Sequence, residues 1–156
     1  MKNPVKIKLV HSAILTNLKQ SIVRMRFKTA ENDINLFEKR MSYLLFLLKN
    51  GSVKNRTIVF FNTKIECHKA GIVFKQNGLK FAELHGSISQ PERLKSLNDF
   101  QAGDIQYLLA TDIAARGIDI EKVKYVVNFE MPVEMDRYIH RIGRTARKTF
   151  CNETDR

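Results

Sequence analysis

The sequence predicts an α/β domain with a mainly parallel central sheet and helices packed on both of its faces. Strand-like and helix-like segments alternate along the chain, and most of the strands are short continuous apolar runs. Such strands are typical of parallel sheets that are covered on both sides. A length of 156 residues, 44% of them hydrophobic, suits a single domain with a buried core.

The first predicted elements follow from local patterns. Residues 21–27 alternate apolar and basic side chains, as in a strand with one solvated face. Residues 32–49 carry apolar side chains at three- and four-residue steps, which predicts a helix. Thr57–Phe61 is a run of branched and aromatic residues typical of a buried strand, and helical spacing resumes over Lys64–Gln76.

The same alternation continues to the last predicted helix. We predict strands over residues 79–84, 105–110 and 123–129, and helices over residues 91–100 and 133–142. Ligands of parallel α/β sheets bind beyond the carboxyl ends of the strands. The loops that follow these strands are therefore the candidate sites.

The net charge of +11 comes from 27 Lys and Arg residues against 16 Asp and Glu residues. This excess indicates a polyanionic partner, such as nucleic acid or an acidic surface. Residues 1–56 hold 12 basic and 3 acidic side chains, so that third carries +9 and the rest +2. The basic third is either a solvated arm or a nucleic-acid contact.

Cysteine content and hydropathy exclude several classes of protein. Cys67 and Cys151 lie far apart without the spacing of zinc ligands, so neither a disulfide framework nor a metal site is predicted. The longest apolar run, around residues 43–48, is too short to cross a membrane, and no signal peptide is visible. We expect an intracellular protein without a membrane partner.

A first motif follows the strand predicted over residues 105–110. Residues 110–119 read Ala-Thr-Asp-Ile-Ala-Ala-Arg-Gly-Ile-Asp. Gly117 permits a tight or left-handed backbone, and the carboxylate of Asp119 can accept hydrogen bonds from ribose hydroxyls. Asp112 is placed to cap the short helical turn after this strand. Spacing alone does not decide between capping and binding.

A second motif, at residues 140–147, reads His-Arg-Ile-Gly-Arg-Thr-Ala-Arg and closes the last predicted helix. Gly143 suits the C-terminal turn of that helix, so Arg144 and Arg147 project from the loop beyond it. Guanidinium groups grip phosphate oxygens in a fork and can neutralise the charge that builds on a transferring phosphoryl group. The alternative is surface salt bridging, for instance to Glu134.

Two shorter patterns stand beside these motifs. Residues 58–63 read Ile-Val-Phe-Phe-Asn-Thr, and their last two residues can equally cap the next helix. Residues 84–86 read Leu-His-Gly, and residues 90–93 read Gln-Pro-Glu-Arg.

The segments at residues 58–63, 110–119 and 140–147 resemble motifs IV, V and VI, respectively, of the DEAD-box family of ATP-dependent RNA helicases. The resemblance covers almost the whole chain up to Arg147 and implies the C-terminal RecA-like domain. It implies an interdomain linker and basic arm at residues 1–20, the helicase domain at residues 21–150 and a tail at residues 151–156. Ala146 stands where many members have glycine. The last strand and helix of the family have no counterpart in the tail, so we expect a truncated domain.

The resemblance also implies roles for individual residues. RNA would be bound by Thr63, Gly86, Arg93, Thr111 and Arg116. ATP would be bound by Gly117, Asp119, Arg144 and Arg147, of which Arg144 and Arg147 are the catalytic arginine fingers. A network between the two helicase domains would involve Gln90, Asp112, His140 and Arg141.

The chain contains neither a Gly-x-x-x-x-Gly-Lys-[Ser/Thr] phosphate loop nor an Asp-Glu-Ala-Asp run. We therefore expect the N-terminal RecA-like helicase domain to supply the ligands of Mg²⁺, and this chain alone to be inactive with ATP. Likeness to a nucleolar, ribosome-assembly subgroup implies pre-ribosomal particles as partners and the nucleus and nucleolus as location, otherwise the cytoplasm. One alternative is a truncated, non-enzymatic fragment that binds RNA or a protein partner. Another is the C-terminal half of a superfamily 2 helicase that acts on DNA.

Overall fold

The computed structural model describes residues 18–25, 33–51, 53, 56–115, 120 and 123–145. Five helices and four strands lie in these ranges. In chain order they are α1 Asp33–Lys49, β1 Thr57–Phe61, α2 Lys64–Gln76, β2 Phe81–Leu84, α3 Gln90–Ala102, β3 Tyr107–Thr111, α4 Asp112–Ala115, β4 Tyr125–Asn128 and α5 Met135–Ile142.

The four strands form one parallel sheet in the order β2-β3-β1-β4. Strands β1 and β3 lie in the middle and are buried at all five positions, which explains their continuous apolar sequences. Each chain crossover between parallel strands carries a helix, as parallel pairing requires.

Helices cover both faces of the sheet. Successive side chains of a strand point to opposite faces, so Val59 and Phe61 pack against α1 and α2, whereas Ile58 and Phe60 pack against α3 and α4. The rings of Phe74 and Tyr107 meet edge to face at 5.6 Å between centroids and join α2 to β3. The three layers confirm the predicted α/β, RecA-like fold class.

Most of the predicted elements are present, with small shifts at their ends. Thr57–Phe61 and Lys64–Gln76 have the predicted bounds. Strands β2, β3 and β4 each begin two residues later than predicted, because the sheet register and not the apolar run sets where pairing starts.

The strand predicted over residues 21–27 is wrong where the structure describes it. Residues 21–25 form no regular structure, and the side chains of Ile22 and Val23 are 78% and 47% exposed. In the described sheet no strand pairs with this segment, so its alternation of apolar and basic side chains buries no face. Residues 26 and 27 lie outside the described residues, as do most of the linker and the whole tail.

Two kinds of feature are absent from the described residues. None of the described helices has the length and the apolar composition needed to span a membrane. The same residues hold no group of three or more His, Cys, Asp or Glu side chains that could bind a metal ion.

Candidate functional site

The carboxyl ends of three strands meet at one edge of the sheet. Phe61, the last residue of β1, is in register with Thr111 at the end of β3, and Phe60 is in register with Asn128 at the end of β4. The polar residues that follow these strands therefore lie side by side. This edge carries both motifs that sequence analysis selected.

Arg141 is the centre of this edge. It lies near the end of α5 and is 1% exposed, the most deeply buried charged side chain of the described residues. Its Nε donates to Asp112 Oδ1 at 2.6 Å, and its Nη2 donates to Asp112 Oδ2 at 2.8 Å. This is the two-pronged geometry in which guanidinium and carboxylate bind most strongly.

The other N–H groups of Arg141 are also satisfied within this domain. Nη1 donates to Asn128 Oδ1 at 3.1 Å and to the backbone oxygen of Glu130 at 2.8 Å. Nη2 donates to Asn62 Oδ1 at 2.8 Å. A guanidinium group has five N–H donors, so Arg141 uses all of them to tie α5 to the ends of β1, β3 and β4.

Asp112 binds Arg141 and begins the four-residue helix α4. Its position at the start of a helical turn agrees with the capping role considered from the sequence, but both of its carboxylate oxygens accept from Arg141. In this structure Asp112 and Arg141 thus hold the domain itself together. Their role in a network between domains stays a prediction.

A small cleft opens beside this buried pair. Its lining consists of Phe60, Asp112, Ala115, Arg137, His140, Arg141 and Arg144. His140 is exposed, whereas Arg144 is half-buried, and this burial lowers the pKa of Arg144. Arginine nevertheless stays charged at neutral pH, so Arg144 brings a positive charge to the cleft, whereas the charges of Arg137 and Arg141 are offset by Glu134 and Asp112.

The turn that carries Arg144 continues the helix in a tighter form. Gly143 has φ −62° and ψ −8°, which is right-handed helical backbone, so glycine is not needed there for a left-handed turn. A Cβ at Gly143 would lie 3.1 Å from the backbone oxygen of Ile139, so close packing is the reason that fits a glycine. Arg147 lies outside the described residues, as do Arg116, Gly117 and Asp119.

A second group of predicted residues surrounds the amino ends of α2 and α3. Thr63 caps α2: its Oγ1 accepts from the backbone N–H of Glu66 and donates to Glu66 Oε2, both at 3.2 Å. The sequence left capping of this helix by Asn62 and Thr63 as an alternative to RNA contact, and in the structure Thr63 is the cap. Gly86 is exposed, and a Cβ there would meet nothing within 4 Å.

Arg93 projects from the first turns of α3, which a capping box at Ser89 and Glu92 starts. The side chain of Arg93 is half-buried, and its Nε is buried without a hydrogen-bond partner among the described residues. A buried donor without an acceptor costs free energy, so a movement of this side chain that brought Nε to an acceptor would be favourable. Gln90 begins α3 and is exposed.

Hydrogen bonds of His85 hold the loop that carries Gly86. His85 Nε2 lies 2.9 Å from Glu83 Oε2, and His85 Nδ1 accepts from the backbone N–H of Ser87 at 3.3 Å. Lys64 Nζ donates to Ser87 Oγ at 3.2 Å and joins this loop to α2. These contacts bring the segments with Thr63 and Gly86 together.

Thr111 is the predicted RNA contact that the structure buries. It ends β3, is 8% exposed and pairs with Phe61 in the sheet. The predicted residues that the structure describes thus form two groups, one at the α2 and α3 amino ends and one around Arg141 at the strand ends.

Sequence reasoning missed the side chains that join these groups. Asn62 lies between them: its Nδ2 donates to the backbone oxygen of Met131 at 3.3 Å, and its Oδ1 accepts from Arg141. Glu130 accepts from Arg40 and from the backbone N–H of Asn62. The sequence gives little signal for these contacts, because Glu130 directly follows the strand predicted over residues 123–129 and belongs to neither motif.

Comparison with known proteins gives a consistent result. Residues 39–149 match the model of the helicase conserved C-terminal domain. ATP-dependent RNA helicase drs1 of Neosartorya fischeri is 49% identical over 131 residues, which are 84% of this chain and 15% of that protein. The chain therefore spans about 15% of the length of this curated relative.

Two solved structures share the fold at high sequence identity. The RNA-helicase Prp28 from Chaetomium thermophilum, bound to ADP, superposes with a TM-score of 0.65 and 42% identity over 70% of this chain and 27% of that one. The E. coli DEAD-box protein SrmB, bound to regulator of ribonuclease activity A, superposes with a TM-score of 0.66 and 39% identity. That match covers 71% of this chain and 65% of the SrmB chain.

Proposed function

Because the chain belongs to the helicase conserved C-terminal domain family, among the DEAD-box RNA helicases, we propose that it acts as the C-terminal half of an ATP-dependent RNA helicase. In this proposal the domain grips the RNA backbone and supplies arginines to ATP bound by the N-terminal half. The observation that carries it is the buried pair of Arg141 and Asp112, which fixes the end of α5 against the sheet edge.

This anchor sets the position of Arg144. The residue follows Arg141 by three positions, and its backbone N–H donates to the backbone oxygen of Arg141 at 3.2 Å. Since the guanidinium of Arg141 cannot move without breaking five hydrogen bonds, the turn that carries Arg144 is held in place. A positioned guanidinium is what stabilises the charge of a phosphoryl group during transfer.

We infer that the cleft beside Arg144 receives a phosphate group. Of its three arginines, Arg141 is paired with Asp112 and Arg137 with Glu134, so Arg144 is the arginine that we assign to the phosphate. In ATP hydrolysis the γ-phosphoryl group passes to water, and ADP is the leaving group. In this proposal Arg144 and Arg147 bind the γ-phosphate, and Asp119 and Gly117 bind the ribose. Magnesium would be held by the N-terminal half, which would supply the phosphate loop and the Asp-Glu-Ala-Asp run.

RNA binding is assigned to the other group of residues. The exposed Thr63 and Gly86 lie in segments that the Lys64–Ser87 hydrogen bond joins, and the buried Nε of Arg93 lacks an acceptor among the described residues. In this proposal the sugar-phosphate backbone lies against these residues and, at the strand end, against Arg116 and the backbone beside the buried Thr111. Contacts of this kind position a nucleic acid without reading its sequence.

The cellular setting is a further part of the proposal. We propose that the protein works on RNA in the nucleus and nucleolus, with pre-ribosomal particles as the site of action, as the resemblance to the nucleolar subgroup implies. Localisation of the fluorescently tagged full-length protein tests this step, and exclusion from the nucleolus would overturn it.

A split-enzyme assay tests the central proposal. RNA-stimulated ATP hydrolysis is measured for this chain, for a separately expressed N-terminal helicase half, and for their mixture. We expect hydrolysis only in the mixture, and none when the mixture contains the Arg144→Ala variant. A folded chain that never restores hydrolysis would overturn the proposal and favour a non-enzymatic fragment that binds RNA or a protein partner.

A further inference from the structure

The amino ends of the four strands form a second edge of the sheet, the amino edge, opposite the edge that carries Arg141. The segments that lead into β1, β2, β3 and β4 at this edge are residues 49–56, 75–80, 102–106 and 121–124. Together they hold seven Lys or Arg residues against two Asp or Glu residues, so they carry +5 of the net charge of +11. Such a concentration of positive charge fits a polyanionic partner.

The residues directly before the strands lie in one row across the amino edge. In the sheet order β2-β3-β1-β4 they are Lys80, Gln106, Arg56 and Lys124. The backbone N–H of Gln106 donates to Lys80 at 2.9 Å, that of Thr57 to Gln106 at 3.1 Å, and that of Lys124 to Arg56 at 2.9 Å. Neighbouring strands lie about 4.8 Å apart, so the row is about 14 Å long and its backbone is held by the sheet.

Arg56 gives this row a fixed positive charge near its centre. Its φ of 63° lies in the left-handed region, which an arginine seldom adopts. Its Nη2 donates to the backbone oxygen of Gln101 at 3.4 Å, near the carboxyl end of α3. A cation there also interacts favourably with the helix dipole. The half-buried Arg56 thus has a structural role, and we assign it no direct contact with a ligand.

Lys80 and Lys124 have no such structural role. Both side chains are exposed, and neither forms an ion pair or a side-chain hydrogen bond with a described residue. They belong to no helix, so the helix dipole does not explain their charge. Asp104 is the one described acidic side chain of these segments, and it is exposed without pairing to either lysine. The two ammonium groups can therefore bind an anion.

We propose that the amino edge is a second RNA-binding surface, on which Lys80 and Lys124 bind phosphates of the sugar-phosphate backbone. The row is as long as about four nucleotides at the roughly 3.4 Å rise of a stacked strand. Tyr125 is 38% exposed beside Lys124 and offers an aromatic ring, as surfaces that bind single strands do. This inference rests on the proposed function, from which RNA follows as the polyanion.

An acidic protein segment fits this edge less well than RNA does. Protein interfaces have an apolar centre surrounded by polar residues. Among the described residues of the four segments, none is a large hydrophobic side chain that is exposed. The edge therefore offers repeated charge without an apolar anchor, which matches a nucleic-acid backbone.

Anisotropy titrations of this chain with a fluorescein-labelled oligouridylate at several salt concentrations test the proposal. The variant Lys80→Gln/Lys124→Gln removes both contacts. We expect the slope of log affinity against log salt concentration to fall by about 1.4, and the affinity to fall roughly tenfold or more near 0.1 M salt. The matched control, Lys69→Gln/Lys95→Gln, removes the same charge from exposed positions on α2 and α3 and should lose much less. Circular dichroism verifies that both variants are folded.

Equal losses in the two double variants would overturn the inference, because net charge alone would then explain them. The split-enzyme assay tests the proposed function separately. A chain that restores hydrolysis but shows equal losses would keep that function without a second surface. Competition by polyglutamate as effective as that by unlabelled oligouridylate would mean an acidic protein partner and would also overturn the inference.

NMR of the nitrogen-15-labelled wild-type chain locates the contact without any substitution. Addition of a short oligouridylate should shift the backbone amide signals of Lys80, Gln106 and Lys124. Amide signals at these three positions that stay unchanged when RNA is saturating would overturn the inference by themselves.

Discussion

Arg141 and Asp112 form a two-pronged salt bridge at the carboxyl edge of the sheet, with N–O distances of 2.6 and 2.8 Å and only 1% of the Arg141 side chain exposed. The residues that accept hydrogen bonds from Arg141 lie in three other segments, up to 79 residues away from it in sequence. The pair therefore joins α5 to three strands at once. Both motifs selected from the sequence meet in this contact.

Loss of the Arg141 side chain should destabilise the domain strongly. Arg141→Ala leaves the buried carboxylate of Asp112 without its partner, and we expect a loss of about 3–5 kcal/mol in the free energy of unfolding. Arg141→Lys should also destabilise the domain, because an ammonium group cannot reproduce the planar fork. Urea unfolding followed by circular dichroism measures both.

Arg137→Ala is the matched control for this prediction. Arg137 pairs with Glu134 in the same helix region, but the two side chains are 43% and 60% exposed. Exposed pairs contribute little, so the loss should stay below about 1 kcal/mol. Similar losses for Arg141→Ala and Arg137→Ala would contradict the structural role given to burial.

Arg144→Ala should remove catalysis without unfolding the domain. In the complete two-domain enzyme we expect RNA-stimulated ATP hydrolysis to fall by about a thousandfold or more, the range of an arginine finger. RNA affinity should be largely unchanged, because Arg144 lies in the cleft at the strand ends and not in the group around Thr63 and Arg93. Steady-state hydrolysis and RNA anisotropy separate the two effects.

Arg137→Ala again serves as the comparison. Arg137 lines the same cleft, but its Nε and Nη2 already donate to Glu134. Its loss should reduce turnover far less than that of Arg144. Near-normal turnover of the Arg144 variant would contradict its assignment as a catalytic group.

Much of the fold was predictable because its signals are local. Continuous branched and aromatic residues indicated β1, and the Thr63 cap together with Asn77 and Gly78 bounded α2 at both ends. The segment at residues 21–25 shows the limit of such patterns. Its alternation of side chains is compatible with a strand, but strand formation requires a neighbouring strand, and the described sheet provides none there.

The candidate site was predictable only as a set of residues. The rule for strand ends selected the loop with Asp112, and the family resemblance selected His140, Arg141 and Arg144, but neither revealed that Arg141 is buried. Burial of an arginine depends on acceptors that converge from distant segments, here Asn62, Asp112 and the backbone of Glu130. Such convergence is a property of the assembled sheet edge and leaves no local pattern.

Arg93→Ala should weaken RNA binding and reduce its dependence on salt. A single phosphate contact accounts for about 0.7 to 1 in the slope of log affinity against log salt concentration. Lys95→Ala removes the same charge from an exposed position two residues further along α3 and should leave the slope closer to that of the wild type. Anisotropy titrations at several salt concentrations measure this, and an unchanged slope for Arg93→Ala would exclude the phosphate contact.

Burial raises the pKa of Glu66, in the first turn of α2, to about 7. This shift should be visible in the stability of the domain. A glutamate whose folded pKa is about 7 binds more protons in the folded than in the unfolded state between about pH 4.5 and pH 7. Its contribution to stability is therefore complete at low pH and is lost as the pH rises through this window.

Glu66→Gln cannot ionise, so its stability relative to wild type should increase between pH 5 and pH 8. The side chain is only partly buried and solvent screens it, so we expect a relative gain on the order of 1 kcal/mol. Urea unfolding at both pH values gives the difference, and Glu38→Gln should show no such gain. A constant difference between Glu66→Gln and wild type at pH 5 and pH 8 would mean that Glu66 keeps an ordinary pKa in the folded domain.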